Sequence, residues 1–311
     1  MKCLIIHNPI AGPRDVVREL VRVRRELTQR GWAADIECTQ NPGDAILLAR
    51  QAAAAGLDAA WAAGGDGTIN EVVNGLVGSP TVLGILPIGT GNIWARQLHL
   101  PIYSLAHPFH LREAALDQLR GQIRTIDVGR VNDRHFLLWA GAGFDAEVTS
   151  EIEPRTRRIK RLGALPYVIA AVLLARQFSG VTTHIVMDGR TLRGRTILML
   201  ATNTQMYAYF RVTRQARLDD GLLDVFVFKG LGFSYILRHA ANFFSGRHLR
   251  DPEVVQRQAR EITIWSEQPM AVQMDGDPFG TTPVSVRVVP RSLRIFVPPQ
   301  APPSLFGEEI R

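Results

Sequence analysis

The amino-acid sequence predicts an α/β domain with a parallel sheet, followed by an antiparallel β-sandwich domain. In the N-terminal part, short apolar runs alternate with helical stretches, as parallel strands joined by right-handed crossovers require. From Arg134 onward this gives way to β-branched runs separated by turn residues. The length of 311 residues agrees, because it exceeds what one core comfortably organises.

Each element has a local reason. Lys2 to His7 is a continuous apolar run, hence a buried strand, and it delivers the loop Asn8-Pro9-Ile10-Ala11-Gly12-Pro13. Val16, Leu20, Val23 and Leu27 recur at helical spacing until Gly31 stops the helix. A strand at Ala33 to Cys38 ends in Thr39, and Asn41-Pro42-Gly43-Asp44 opens an Ala/Leu-rich helix that runs to Gly56. A strand through Trp61-Ala62-Ala63, a helix, a second strand to Pro87 and a helix from Ile93 complete the alternation. A connection from Leu100 to His110 leads to a helix over Arg112 to Gly121, with His99, His107 and His110 placed on the surface. The second half reads as strands at His135 to Ala140, Val181 to Met187, Thr196 to Thr202, Leu222 to Phe228, Glu261 to Ser266, Met270 to Met274 and Val284 to Val289. Helices around Leu162 to Phe178 and Gly232 to Ser245 interrupt them; Ser292 to Val297 is the last strand, before a loose Pro-rich tail.

Composition narrows the possibilities. Apolar content of 46% with 21% charged residues describes a globular protein with ample core material. The net charge of +7 suits anionic partners, but no dense Lys/Arg run with interleaved aromatics points to nucleic acid. Cys3 and Cys38 fall in strands predicted to be buried, as reduced structural thiols would. The apolar residues after Lys2 are too few for a signal-peptide core. The longest apolar run, Leu162 to Ala175, has 14 residues, where a bilayer span takes about 20. We expect a cytoplasmic protein, in contact with the inner membrane face at most.

The chemistry concentrates at two turns. Gly64, Gly65 and Gly67 let successive N–H groups converge on an anion, and the following helix aims its positive end at the same place. Asp66 would repel a phosphate unless a cation lay between them, so the turn asks for magnesium. The alternative is a tight turn with a helix cap. The second turn, Leu86-Pro87-Ile88-Gly89-Thr90-Gly91-Asn92, opens at the same edge of a parallel sheet and favours a nucleotide site.

Gly64-Gly65-Asp66-Gly67-Thr68-Ile69-Asn70-Glu71-Val72-Val73-Asn74-Gly75-Leu76, with Leu86 to Asn92, resembles the diacylglycerol kinase catalytic domain family, which includes soluble bacterial lipid kinases and sphingosine kinases. The first motif is shared with NAD kinases; the Asn-Glu-Val-Val-Asn-Gly continuation is more specific to the lipid kinases. The resemblance spans nearly the whole chain. It implies a nucleotide-binding domain at residues 1–127, a lipid-substrate domain at 128–289, the return of 290–311 to the first, and a site in the cleft between them. It further implies that Asn8, Thr39, Gly64, Gly65, Asp66, Gly67, Thr68, Ile69, Asn70 and Thr90 hold ATP. Asp127, expensive to bury alone, needs either a basic side chain or magnesium water as its partner; the resemblance implies that it joins Asp66 in the Mg2+ network. Where many members have a metal-supporting Asp, this chain has Ile93.

Two carboxylate clusters mark the second half. Arg217-Leu218-Asp219-Asp220-Gly221-Leu222 is either a hairpin turn or a cation site; the resemblance implies a structural magnesium on Asp220 and the carbonyls of Arg217 and Leu222. In Gln273-Met274-Asp275-Gly276-Asp277 a carboxylate could take the proton of an acceptor hydroxyl. The family pattern is Asp-Gly-Glu, so the base is either Asp277, one methylene shorter, or Asp275. The expected activity is an ATP- and Mg2+-dependent lipid kinase acting on diacylglycerol or a related lipid alcohol at the membrane surface. A homodimer stands open. The alternatives are an NAD kinase-like phosphotransferase with a soluble acceptor and a non-catalytic lipid- or nucleotide-binding protein.

Overall fold

The computed structural model describes residues 1–12, 14–104, 107, 109–153, 165–208 and 210–307. They form two compact units, Met1–Val128 with Arg291–Leu305, and Gly129–Pro290 with the residues from Phe306.

The first unit alternates β1 (Lys2–His7), α1 (Val17–Gln29), β2 (Ala33–Cys38), α2 (Asp44–Ala54), β3 (Ala59–Gly64), α3 (Asp66–Leu76) and β4 (Val82–Pro87), then α4 (Ile93–Gln97), α5 (His110–Arg120) and the start of β5 (Gln122–Val131). Its sheet has the order β2-β1-β3-β4, all parallel. Ile295, from the last strand of the chain, pairs parallel with Leu83. Every residue of β3 and β4 is buried, because helices cover both faces of a parallel sheet. That is why these strands read as unbroken apolar runs. Leu20, Val23 and Leu27 of α1 pack into a core with Ile5, Trp61 and Phe296, where the Trp61 and Phe296 rings stack at 5.3 Å.

The second unit continues with β6 (Arg134–Phe136), β7 (Trp139–Gly143), α6 (Phe144–Ile152), α7 (Leu165–Ala175), β8 (Val181–Met187), β9 (Arg190–Thr202), β10 (Met206–Tyr207), β11 (Phe210–Arg211), β12 (Leu223–Lys229), α8 (Phe233–Phe244), β13 (Val254–Ala259), β14 (Glu261–Ser266), β15 (Ala271–Met274), β16 (Asp277–Thr281) and β17 (Val284–Val297). Pairing is antiparallel throughout: β15 joins β16 and β7, β9 joins β7, β8 and β12, and β14 joins β8 and β17. The inner faces bury Ile185, Met199, Val225, Ile262 and Val286 in one apolar core, giving a β-sandwich.

Several expectations need correction. The strand expected over His135 to Ala140 is two strands, because the N–H groups of Leu137 and Leu138 turn to the Asp275 carboxylate instead of a ladder. Strand β13 escaped the reading because, among the described residues, it pairs with β12 alone, and its polar Gln-Arg-Gln run breaks the apolar pattern. Strand β16, built on Asp-Pro-Phe-Gly-Thr, hides behind turn residues. Cys38 is exposed, since β2 is the sheet edge. His110 is buried rather than on the surface. The tail docks: Pro303–Leu305 forms a 3-10 turn with Leu305 fully buried. Of the helix expected from Leu162, residues 162–164 lie outside those described. No helix among the described residues is long and apolar enough to cross a membrane.

Candidate active site

In the first unit, the carboxyl ends of β2, β1, β3 and β4 lie side by side and place Thr39, Asn8, Gly64 and the 88–92 turn along one sheet edge. Asn8 Nδ2 donates to Thr68 Oγ1 at 3.0 Å, tying the first loop to the first turn of α3. The buried Thr39 is held by its N–H on the His7 carbonyl at 2.8 Å. Gly64 and Pro87 are paired in register, and the Ile88 N–H donates to the Gly64 carbonyl at 2.9 Å. The two turns touch: a Cβ on Gly89 would stand 2.6 Å from Gly65 Cα, so only glycine permits this approach.

Asp66 joins the two turns. Its carboxylate accepts the N–H groups of Ile93 and Trp94, both at 3.1 Å, and so closes the open end of α4. Burial pushes its pKa up, against these bonds. The Ile93 side chain is buried, so the position that often holds Asp contributes its backbone to this carboxylate and its side chain to the core. Asp127 is fully buried and accepts the Arg291 N–H at 2.7 Å, a backbone partner that pattern alone could not supply.

Beside the second turn lies a cavity of about 170 Å³ lined by Arg14, Thr90, Asn92, Arg96, Tyr103 and His110. The Arg14 guanidinium sits 3.7 Å from the centre of the Tyr103 ring. His110 Nε2 lies 2.9 Å from the Pro87 carbonyl, while burial lowers the pKa of its ring and keeps it neutral at pH 7. Arg14 and Arg96 follow the two loop motifs at short range, the only sequence signal for them; Tyr103 and His110 had none.

In the second unit, Asp275 and Gly276 have φ of 50° and 88°, the left-handed pair that a two-residue hairpin between β15 and β16 demands. The Asp275 carboxylate accepts N–H groups from Leu137, Leu138 and Trp139 at 2.9, 2.9 and 3.0 Å. Asp277, two residues on, is exposed. The structure thus separates the two carboxylates: one anchors backbone, the other stands on the surface of the hairpin.

Asp145 was missed. It opens α6 and accepts hydrogen bonds from Tyr207 OH and Gln273 Nε2, both at 2.9 Å. Gln273 Oε1 in turn accepts the Gly276 N–H at 2.9 Å, so a continuous chain of bonds runs from Tyr207 through Asp145 to the Asp275-Gly276 turn. Burial raises the Asp145 pKa to about 6. An isolated Asp at a helix start gives no hint of partners this distant in sequence.

Asp220 Oδ1 accepts the Leu222 N–H at 3.0 Å, the turn expected there. Nearby, Asp224 is buried, its Oδ1 has no hydrogen-bond partner among the described residues, and burial together with the charge of Asp220 raises its pKa to about 6.

Two touching glycine turns on a parallel sheet and a carboxylate hairpin on a β-sandwich are the arrangement expected of a kinase. Comparison with known proteins agrees. Residues 2–131 match the diacylglycerol kinase catalytic domain, and residues 139–297 match the YegS C-terminal NAD kinase beta sandwich-like domain. The diacylglycerol kinase of Bacillus subtilis (strain 168) is 30% identical over 298 residues, 94% of this chain and 95% of its own. That of Staphylococcus aureus (strain bovine RF122 / ET3-1) is 30% identical over 311 residues, 98% of this chain and 94% of its own. A crystal structure of a diacylglycerol kinase from Bacillus anthracis str. Sterne shares the fold at TM-score 0.71 and 22% identity, covering 97% of this chain and 98% of its own. A second structure from that organism reaches TM-score 0.78 at 24% identity over 97% and 96%. The chain belongs to the diacylglycerol kinase family.

Proposed function

We propose that this kinase transfers the γ-phosphate of ATP, with Mg2+, to the hydroxyl of diacylglycerol or a related lipid alcohol. The observation that supports this most is the contact of the two glycine turns at Gly65 and Gly89, with Asp66 of the first turn bonded to the N–H groups of Ile93 and Trp94 that follow the second. On this reading Asn8, Thr39, Gly64 to Asn70 and Thr90 bind the nucleotide, and the cavity beside Thr90 brings Arg14 and Arg96 toward phosphate charge. Asp66 and Asp127 would hold Mg2+. No group of three His, Cys, Asp or Glu side chains able to hold a metal occurs among the described residues. When bound, Mg2+ neutralises charge on the transferring phosphoryl group.

Asp277 takes the proton of the lipid hydroxyl as that oxygen bonds to the γ-phosphorus and the bond to the β-phosphate oxygen breaks. Asp275 is unsuited to the role, because its oxygens hold three N–H groups. Asp145 positions the turn through Gln273. On this reading the protein is cytoplasmic and reaches its substrate from the inner membrane face. Turnover should require dispersed lipid; full turnover on NAD without lipid would move the acceptor to the soluble class.

Two further outcomes follow from the buried carboxyls. An Asp at 145 with a pKa near 6, against about 3.9 when unfolded, holds a proton between those pH values that the unfolded chain has lost. Its contribution to stability is complete below about pH 4 and is lost as pH rises through about 6. The denaturation midpoint of Asp145→Asn should therefore fall less steeply than that of wild type between pH 4 and 6.5. Asp224 acts in the same direction, so part of the slope survives. An unchanged slope in Asp145→Asn would refute this assignment.

If Asp220 and the carbonyls of Arg217 and Leu222 hold a structural cation, saturating Mg2+ should raise the melting temperature. Ligand at a hundred times its dissociation constant stabilises by about 2.7 kcal/mol. Asp220→Ala should abolish that rise, and a melting temperature indifferent to Mg2+ in wild type would remove the site.

A further inference from the structure

Helix α8 buries only Ile236 and His239. Phe233, Leu237, Ala241 and Phe244, at spacings of four, four and three, form one stripe on its other side. The three large side chains are 42%, 52% and 66% exposed, far more than a core-facing helix would leave in water. Phe210, on the β10–β11 hairpin, extends the stripe by packing edge-on against Phe244 at 4.9 Å, and Leu231 and Leu249 stand exposed at either end of the helix segment.

Charge says what covers this face. Residues 206–218 and 230–250 contain six arginines, at 211, 214, 217, 238, 247 and 250, and no Asp or Glu. Arg238 is paired with the buried Asp251. Arg211, Arg214, Arg247 and Arg250 are exposed and lie within six residues of Phe210 or Phe244 along the chain. An apolar stripe rimmed by one sign of charge repels a second copy of itself and is complementary to an anionic bilayer, into which aromatic and aliphatic side chains insert while guanidinium groups meet the headgroups. We propose that this face, formed by α8 and the β10–β11 hairpin, docks the second unit on anionic phospholipid.

The face also adjoins the acceptor hairpin. The Tyr207 ring packs on Phe243 at 6.1 Å and on Trp139 at 4.9 Å, and its hydroxyl is the donor to Asp145. A lipid leaving the bilayer at α8 thus meets residues already connected to the Asp275-Gly276-Asp277 turn. This inference rests on the reading that the acceptor is a membrane lipid.

The test is flotation with vesicles, without nucleotide, comparing phosphatidylcholine alone with a phosphatidylglycerol mixture. Wild type should float with the anionic vesicles, and less at high salt. Leu237→Glu/Phe244→Glu and, separately, Arg247→Glu/Arg250→Glu should each lose at least tenfold in binding while keeping the wild-type melting temperature. Both should retain turnover on lipid dispersed in detergent micelles. Flotation of the Glu variants equal to wild type would overturn the proposal. So would light scattering that shows these substitutions splitting a dimer while wild type ignores vesicles. If wild type floats as expected but phosphorylates no lipid, the docking face stands and the kinase acceptor must be sought elsewhere.

Discussion

Asp277→Asn is expected to lower turnover by about 10²–10⁴-fold, the range for loss of a general base, with nucleotide affinity and melting temperature near wild type. The side chain is exposed on a hairpin and asparagine keeps its shape, so the substitution opens no cavity. Asp275→Ala should behave in the opposite manner. It leaves the N–H groups of Leu137, Leu138 and Trp139 without their carboxylate, in residues that are all buried. Unsatisfied buried donors cost about 1–3 kcal/mol each. The expected result is a large drop in melting temperature, and activity that falls with the folded fraction. Steady-state kinetics beside thermal denaturation distinguishes them. If Asp277→Asn keeps full turnover, the base lies elsewhere.

Asp66→Ala is the second large effect. This carboxylate does two jobs on the proposed reading, capping α4 and supporting Mg2+, so both activity and local order should suffer. Loss of metal-assisted charge stabilisation is worth several kcal/mol, or roughly 10³-fold in rate. Asp66→Asn separates the jobs. An amide oxygen keeps one of the two N–H bonds, so the protein should melt between Asp66→Ala and wild type, while the Mg2+ concentration for half-maximal activity rises. Equal Mg2+ dependence in Asp66→Asn and wild type would leave Asp66 with its cap alone.

How much of this could be read in the chain follows from where each signal sits. The turns at Gly64 and Gly89 were readable because one short segment contains the strand, the glycines and the helix start. Their contact was foreseeable because parallel neighbours align their carboxyl ends. The sandwich was readable from β-branched runs, yet β13 and β16 were not, since edge strands lack an apolar pattern. The division of labour between Asp275 and Asp277 was not readable, because three N–H groups from a distant loop decide it. Asp145 was invisible for the same reason: Tyr207 and Gln273 lie 62 and 128 residues away. His110 reads as a surface residue because the three histidines are not spaced like ligands, and its partner, the Pro87 carbonyl, lies on another element.

The most direct test of the central claim is transfer of labelled γ-phosphate from ATP, with Mg2+, to a mixed lipid extract, using wild type beside Asp66→Ala and Asp277→Asn. A phosphorylated lipid that forms with wild type and disappears in both variants is the predicted result, and its identity names the acceptor. A wild-type protein that binds ATP and Mg2+ yet labels no lipid would contradict the account.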